Sequence, residues 1–457
     1  MQKFFDDKDF FSTFLRLWTP IASQQLIFAL LNFISTMMVG QLGETSVAAF
    51  SLAGQIIWLL QLFMFGIGSG AAIFVAQYWG KRDVSNIRRV LGISLVIGLF
   101  GAGIFSIIAL VFPAQALAVY SSDPAVISLG SDYLRILGLG FLTIPITNNF
   151  TVALRSAGNV RAPVVISIVA WTGCAVITYA LIFGQFGMPA LGIHGSAIGS
   201  TIVRVIECVA LLAFTYSTRS VAAARLSELL AFDRPFIVNV VKTMLPVVAN
   251  EILWSTGISL YSLIYGRIGT ESVAAVSIAA SVENLAFVPF IGIANSAAIM
   301  IGNRIGADEE HKAMTYAKQF FAMNLALGVL IGTAIFFCAE TILGFYQIDP
   351  TTREFARNIM VIMALALSIK VSNMLLIVGV LRAGGDSRVS ALIDVSPLWL
   401  VGLPAATLGA FVFGLPVYWV YLLTITDEAC KLTLALWRMI SKRWINNLAA
   451  RETLKVS

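Results

Sequence analysis

The sequence predicts an all-α protein that crosses a membrane twelve times, and three observations support this fold class. First, 58% of the 457 residues are hydrophobic, only 12% are charged and the mean hydropathy is +0.88, whereas soluble domains carry about 25% charged residues. Second, the apolar residues form blocks of roughly 20–30 residues, long enough for spanning helices. Third, the chain repeats itself internally. Because a bilayer offers no water to backbone groups, blocks of this kind must be helical.

The apolar blocks define twelve predicted spans. They cover residues 12–39, 46–79, 90–112, 124–154, 162–185, 192–216, 236–265, 272–303, 313–338, 353–381, 390–412 and 416–438. Several spans exceed ~25 residues, which indicates tilted helices or helix ends that reach into water.

The internal repeat divides the spans into two sets of six. Residues 40–80 and 266–306 share 15 identities in 41 ungapped positions, at an offset of 226. A second match, at offset 227, aligns Arg155 with Arg382. Because six is an even number, both halves enter the membrane with the same orientation, which predicts a parallel repeat about an axis along the membrane normal. We expect an N-terminal lobe over residues 1–216, a linker over 217–235, a C-terminal lobe over 236–440 and a tail over 441–457.

Basic residues predict the orientation of the chain. Loops after odd-numbered spans contain only Arg267, Arg353 and Arg357. Loops after even-numbered spans contain Lys81, Arg82, Arg88, Arg89, Arg155, Arg161, Arg304, Lys312, Arg382 and Arg388. Cytoplasmic loops carry the excess of Lys and Arg. We therefore expect a multi-pass protein of the inner (plasma) membrane with cytoplasmic termini and linker.

The same reasoning excludes several function classes. The net charge of +6 reflects orientation in the bilayer, so we expect no nucleic-acid partner. The chain has no phosphate-binding loop, no dinucleotide turn after a strand and no His-Glu-x-x-His helix. Its four cysteines form no Cys-x-x-Cys pair, and it has only two histidines, so we expect no metal site and no cofactor. An enzyme is disfavoured.

Several motifs resemble those of the multidrug and toxic compound extrusion (MATE) family. They are the stretch at 38–49 (MVGQLGETSVAA) and its echo at 264–275, ALRSAGN at 153–159, LRAGGD at 381–386 and PALGIHGSAIG at 189–199. The resemblance implies a V-shaped fold of twelve helices. It also implies export of organic cations and amphipathic compounds, driven by inward flow of Na⁺ or H⁺. We expect a monomer whose partners are the lipid bilayer and small molecules.

Two departures from the family pattern affect the coupling site. Many members have an acidic residue on the first helix, where this chain has Ser35 or Thr36. Other members have an acid on the tenth helix, where this chain has Lys370. The acid on the seventh helix matches the family and is Glu251.

Glu251 and Lys370 are therefore the predicted cation-coupling residues. Glu251 lies nine residues beyond Lys242, about 13 Å along a helix, and an acid at this depth is costly unless it is paired, protonated or hydrated. Lys370 is expected to lie within reach of Glu251 as its counter-ion. The alternatives are an acid buried with a structural partner and a lysine that extends into a wet cleft.

Other intramembrane polar residues are predicted to line a substrate cavity or to form structural ion pairs. Helical spacing places Ser255 and Ser259 on the same face as Glu251. The remaining cavity candidates are Gln25, Asn32, Ser35, Gln55, Asn148, Glu283, Asn284 and Asn373. The spacings i,i+3 and i,i+4 predict the ion pairs Arg204–Glu207 and Asp427–Lys431. Hydrogen bonding between helices remains an alternative for Glu283 and Asn284.

These observations favour a secondary transporter that exports cationic or amphipathic compounds in exchange for H⁺ or Na⁺, by alternating access of a central cleft. One alternative is a flippase for a lipid-linked precursor, which requires a cleft rich in Arg and Lys. An alternative of another class is a membrane enzyme or receptor, which requires an acid/base pair or a soluble sensing domain.

Overall fold

The computed structural model describes residues 8–450, except for the side chain of Lys8, and the regular structure within this range is helical. Residues 1–7, and residues 451–457 of the predicted tail, lie outside it. The first half contains α1 Lys8–Gly40, α2 Glu44–Gly80, α3 Val84–Val111, α4 Pro113–Ala118, α5 Pro124–Gly138, α6 Thr143–Ser156, α7 Arg161–Phe183 and α8 Ile193–Ser217. The connector contains α9 Leu226–Leu229. The second half contains α10 Arg234–Ile268, α11 Thr270–Gly306, α12 Glu310–Leu343, α13 Pro350–Met374, α14 Ser387–Pro397, α15 Leu403–Phe411 and α16 Val417–Ile440.

All twelve predicted spans correspond to helices. In the described range, ten helices are long and apolar enough to cross a membrane, and a bent pair makes an eleventh crossing. The twelfth span is α16, which has the necessary length but carries Asp427, Glu428 and Lys431 near its middle. The chain is therefore an all-α polytopic membrane protein.

Two predicted spans are not the continuous helices that we expected. The fourth is divided into α5 and α6, which meet at 50°. Pro145 lies just after this break and has no N–H to donate to the helix. The eleventh contains a π-helical segment, Leu398–Gly402, that ends two residues before Pro404. A second π-helical segment, Leu375–Arg382, extends α13 without a break.

Helix boundaries follow the internal repeat. Helices α2 and α11 begin at Glu44 and Thr270 and end at Gly80 and Gly306, each displaced by 226 residues. Helices α5 and α13 both begin with an Asp-Pro pair at the same displacement. The Asp123 carboxylate accepts a bond from the Ala125 N–H at 2.9 Å, and the Asp349 carboxylate accepts one from the Thr351 N–H at 3.0 Å. Such caps contribute about 1 kcal/mol each, so the duplicated sequence encodes duplicated start signals.

Residue contacts divide the chain into two compact units. The N-terminal unit comprises Ser23–Val75 and Asp83–Met244. The C-terminal unit comprises the described residues through Ala22, Ala76–Arg82 and the described residues from Leu245 onwards. Within the N-terminal unit α3 packs on α6 and α7 on α8, and within the C-terminal unit α12 packs on α13 and α15 on α16. The lobe boundaries that we inferred from the repeat remain a prediction.

The connector between the halves is held against α3 within the N-terminal unit. Its short helix α9 carries Glu228, whose carboxylate lies 2.7 Å from the Arg88 guanidinium. Asp233 lies 2.8 Å from Arg89. The predicted linker thus contains one short helix, Leu226–Leu229.

Glycines permit close contact between the backbones of α2 and α11 in the C-terminal unit. A Cβ atom at Gly306 of α11 would overlap the carbonyl oxygen of Gln77 on α2, and one at Gly80 would overlap the carbonyl oxygen of Asn303. The Gln77 amide donates to the Ala383 carbonyl at 3.0 Å and accepts from the Leu448 N–H at 2.7 Å. The backbone contact at the glycines therefore positions a buried amide that joins three segments.

We expect Gly306→Ala to lower the thermal stability of the purified protein, because the added methyl group meets backbone atoms that no rotamer change can move. Overpacking of this kind costs about 1–3 kcal/mol. The control is Gly103→Ala on α3, where a Cβ meets nothing within 4 Å and alanine favours the helix. The measurement is thermal unfolding in one detergent. A Gly306→Ala protein as stable as the Gly103→Ala protein would contradict this account.

Candidate functional site

A network of charged side chains lies inside the C-terminal unit. Its members are the carboxylates of Glu251, Glu283, Asp394, Asp427 and Glu428 and the cations of Lys370, Arg382 and Lys431. With all of them ionised, the network has two more negative than positive charges. Five segments supply them: α10, α11, the extended α13, α14 and α16.

Arg382 is the direct partner of Glu251. One guanidinium nitrogen of Arg382 lies 2.9 Å from the Glu251 carboxylate, and the other lies 3.9 Å from Asp394. The Arg382 side chain is only 2% exposed. It is the last residue of the π-helical extension of α13. Asp394 also accepts a bond of 2.9 Å from the Asn250 amide, so it is part of the network and not a helix cap.

Lys431 on α16 connects three carboxylates. Its ammonium lies 3.2 Å from Asp427, 3.2 Å from Glu428 and 3.7 Å from Asp394. The predicted Asp427–Lys431 ion pair is thus present, as part of a larger cluster. The Asn373 amide donates to the Glu428 carboxylate at 2.7 Å, which places this predicted cavity residue in the same network.

Lys370 has a different partner from the one that we expected. Its ammonium lies 2.5 Å from the Glu283 carboxylate and 3.2 Å from the Tyr421 hydroxyl. The Tyr421 hydroxyl also donates to Glu283 at 3.4 Å. Lys370 was expected to reach Glu251 directly or through water; the direct contact is not formed, and a contact through water stays a prediction. The physical reason is that Glu283, on helix α11, is also shielded from solvent. Its carboxylate therefore also requires a cationic partner.

Some buried polar atoms near the network have no hydrogen-bond partner among residues 8–450. They include Oδ1 of Asn250, Oδ1 of Asn373 and the hydroxyl of Tyr261. A Cβ at Gly402 would contact both the Tyr261 hydroxyl and the Asp427 side chain, so this hydroxyl lies close to the carboxylate cluster. These unpartnered oxygen atoms lie next to a surplus of carboxylates. Oxygen atoms are the ligands that hard cations prefer, and carboxylates also accept protons.

The N-terminal unit contains a partly open cavity of about 210 Å³. Gln25 and Asn148, both predicted cavity residues, line it. Its charged lining residues are Arg155, Arg204 and Glu207.

The expected Arg204–Glu207 ion pair is not formed. The Glu207 carboxylate accepts bonds from the Ser167 hydroxyl at 2.6 Å and the Trp171 indole N–H at 3.1 Å, and these neutral donors on α7 occupy both of its oxygens. The Arg204 guanidinium instead lies over the Trp171 ring, 5.3 Å from its centroid.

Other predicted cavity residues lie outside these two sites. The Ser259 hydroxyl donates to the carbonyl of Ser255 on its own helix at 2.9 Å, and neither serine joins the charge network. Asn284 is exposed at the surface of the C-terminal unit. Three residues do not line the N-terminal cavity: Asn32, Ser35 and Gln55.

Three functional candidates were not predicted from the sequence. Arg155 and Arg382 were counted as cytoplasmic loop residues, yet both lie in helical segments and contact buried groups. Glu428 was not singled out, although it lies three residues before Lys431. The available signal was the duplicated Leu-Arg-x-x-Gly motif, since a basic residue retained in both halves has a role beyond orientation.

The partly buried Lys370–Glu283 pair generates a prediction about stability. We expect Lys370→Met or Glu283→Gln alone to be destabilising, by at most about 3–5 kcal/mol, because each leaves an uncompensated charge that is largely shielded from solvent. The double variant removes both charges and should be more stable than either single variant. The measurement is the apparent Tm of the four proteins in one detergent.

The matched control for this cycle is the exposed pair Arg135–Asp132, whose atoms are 3.2 Å apart. Exposed pairs contribute at most about 1 kcal/mol, so Arg135→Gln should leave the Tm nearly unchanged. Additive losses in the Lys370→Met/Glu283→Gln double variant would show that the two residues are not energetically coupled.

Comparisons with known proteins agree with the helix order and the repeat. The MatE family profile matches residues 20–181 and 246–408, one segment in each half. A probable multidrug resistance protein NorM from Agrobacterium fabrum is 26% identical over 417 residues, which cover 88% of each chain. A second, from Thermotoga maritima, is 22% identical over 443 residues, which cover 96% of this chain and 95% of the relative.

Solved structures share the fold over nearly the whole chain. A variant of the Vibrio cholerae MATE transporter VcmN superposes with a TM-score of 0.87, at 18% identity, over 95% of this chain and 97% of that one. A MOP superfamily transporter from Pyrococcus furiosus superposes with a TM-score of 0.85, at 16% identity, over 94% of this chain and 96% of that one. The fold is that of the twelve-helix MATE proteins, and the chain belongs to the MATE family of membrane transporters.

Proposed function

We propose that this protein is a secondary active transporter that exports organic cations and other amphipathic compounds in exchange for H⁺ or Na⁺. Family membership and the relatives named as probable multidrug resistance proteins support export of varied small molecules. Exchange would proceed by alternating exposure of the binding sites to the two sides of the membrane. The basic loops of the sequence support insertion in the inner membrane with both termini cytoplasmic, and the monomeric state remains a prediction.

The single observation that carries the coupling proposal is the negative surplus of the C-terminal network. Five carboxylates surround three cations in a membrane-spanning unit. Unbalanced charge at this depth is costly, and intramembrane acids mark ion pathways and proton relays. Binding of protons or of Na⁺ restores the balance, and release of these ions recreates the surplus.

Glu251 is the proposed coupling acid because its ion pair can exchange partners. Arg382 lies 2.9 Å from Glu251 and 3.9 Å from Asp394. When Glu251 takes up a cation, its attraction for Arg382 weakens and the guanidinium can pair more closely with Asp394. A cation on Glu251 thus changes the contacts between the extended α13, α10 and α14. If substrate favours the opposite arrangement, binding of one releases the other, which is the reciprocity that antiport requires.

The flippase alternative receives less support from the structure. A flippase for a polyanionic head group needs a strongly basic cavity. The charge network of the C-terminal unit is acidic overall. The N-terminal cavity has two arginines and one glutamate, which suits a single negative charge better than a polyanion.

We expect Glu251→Gln to insert and fold but to lose gradient-driven export, because glutamine keeps the shape of the side chain and cannot bind and release a cation. Glu251→Asp should export at a reduced rate, since its carboxylate is one methylene farther from Arg382. The measurement is efflux of a fluorescent cation from proteoliposomes under an imposed Na⁺ or H⁺ gradient.

The control for this experiment is Glu271→Gln, which removes an exposed carboxylate from the first turn of α11 and should leave export unchanged. Native-like export by Glu251→Gln at matched protein level would place the coupling acid elsewhere, with Glu283 and Asp394 as the next residues to test.

A further inference from the structure

Two arginines line the N-terminal cavity without a carboxylate partner. Among the described residues, no carboxylate oxygen lies within the 4.0 Å ion-pair distance of Arg155 or Arg204. Nη2 of Arg155 donates to the amide oxygen of Gln24, a neutral group. The Nε atoms of both guanidiniums are buried and have no hydrogen-bond partner in residues 8–450. A cation held in this way in a membrane protein is costly until an anion approaches it.

The internal repeat shows how this cavity differs from the charge network of the C-terminal unit. Two of the three cationic positions are retained, since Arg155 aligns with Arg382 and Arg204 with Lys431, whereas Lys370 aligns with Thr143. All five acidic positions are neutral in the N-terminal unit: Glu251, Glu283, Asp394, Asp427 and Glu428 align with Gln25, Ile57, Ser167, Ser200 and Thr201. The duplicated helices therefore carry an acidic site in one unit and a basic site in the other.

The geometry points to an anion site: we propose that the N-terminal cavity binds the carboxylate group of an amphipathic substrate between Arg155 and Arg204. This inference rests on the proposed transport function and specifies the chemistry of its substrate. A guanidinium presents planar N–H donors that match the two oxygens of a carboxylate. The unpartnered Nε atoms supply such donors without breaking an existing ion pair.

The net charge of the N-terminal cavity favours a ligand with a single negative charge. Ser167 and Trp171 donate to the two oxygens of Glu207, which favours its ionised form. With Glu207 ionised, the two arginines and Glu207 give the cavity a net charge of +1. One carboxylate makes the cavity neutral, whereas a phosphate dianion leaves it negative. A substrate with a carboxylate here can carry a cationic group elsewhere, so zwitterionic compounds also satisfy the site.

The remaining walls indicate what the carboxylate is attached to. The rings of Phe28 and Trp171 have centroids 5.6 Å apart and both border the cavity. At about 210 Å³, the cavity is smaller than the roughly 300–1,000 Å³ of sites for drug-sized ligands. It therefore accommodates a small aromatic acid, or the acidic end of a larger molecule.

The test is equilibrium binding to purified full-length protein in nanodiscs without an ion gradient. The probes are 2-naphthoate, its neutral amide 2-naphthamide, 2-naphthylmethylammonium and 2-naphthyl phosphate, measured by isothermal titration calorimetry. We expect 2-naphthoate to bind at least tenfold more tightly than the other three. Arg155→Gln and Arg204→Gln should each weaken naphthoate binding at least tenfold and leave the weak binding of naphthamide nearly unchanged.

Two variants change the cavity charge without removing an arginine. Gln25→Glu installs the acid that the C-terminal unit has at the equivalent position, and it should abolish the preference for naphthoate. Glu207→Gln removes the negative charge, and its amide can accept from the Trp171 indole N–H while it donates to the Ser167 hydroxyl. This variant should strengthen binding of naphthoate and of naphthyl phosphate. Arg135→Gln is the control, since Arg135 is half exposed and pairs with Asp132 outside the cavity.

Equal affinity for naphthoate and naphthamide, or a preference for the ammonium probe, would overturn the proposal. Naphthoate binding that is unaffected by both arginine variants would overturn it as well. Tighter binding of naphthyl phosphate to the native protein would replace the carboxylate with a phosphate head group. If naphthoate binds as expected but Glu251→Gln exports normally, the anion site stands and the coupling proposal fails.

Discussion

Compensation of buried charge is the constraint on which the C-terminal unit depends. A membrane-spanning segment exposes charged side chains to a medium that solvates them poorly. Here Arg382 and Lys431 link four carboxylates, and Lys370 pairs separately with Glu283. Arg382 joins the extended α13 to α10 and α14, and Lys431 joins α16 to α14. Because breaking a buried pair is far more costly than breaking a surface pair, these contacts restrict how the helices can be arranged.

Gene duplication, visible in the 226-residue repeat, provided the same scaffold twice. In the C-terminal unit this scaffold carries acids around three cations, two of which, Arg382 and Lys431, have counterparts in the N-terminal unit. In the N-terminal unit the equivalent cations remained and the acids are absent. The duplicated scaffold therefore carries an acidic site in one unit and a basic site in the other. The asymmetry is also visible in the backbone, since α5 and α6 are separated by a 50° bend whereas their counterpart continues through a π-helical segment.

Hydropathy and repetition predicted the twelve spans because both depend on composition over long windows. The Asp427–Lys431 pair was predictable because its partners lie one helical turn apart. The pairs Arg382–Glu251 and Lys370–Glu283 were not predictable, since they join residues 131 and 87 positions apart and depend on how helices pack. Arg382 was misassigned for a further reason. The positive-inside pattern treats every arginine near a span end as a loop residue, whereas the π-helical extension of α13 keeps this one buried.

We propose that this protein moves substrate and cation in exchange. Substrate-driven counterflow is the measurement that tests this proposal. Native protein in liposomes is given a gradient of a transported compound, with no ion gradient and the membrane potential clamped at zero. A luminal pH dye and radioactive Na⁺ report the movement of each ion. The account predicts that H⁺ or Na⁺ moves against the direction of the substrate, in a fixed ratio to the amount transported. Transport of substrate with neither ion moving would contradict it.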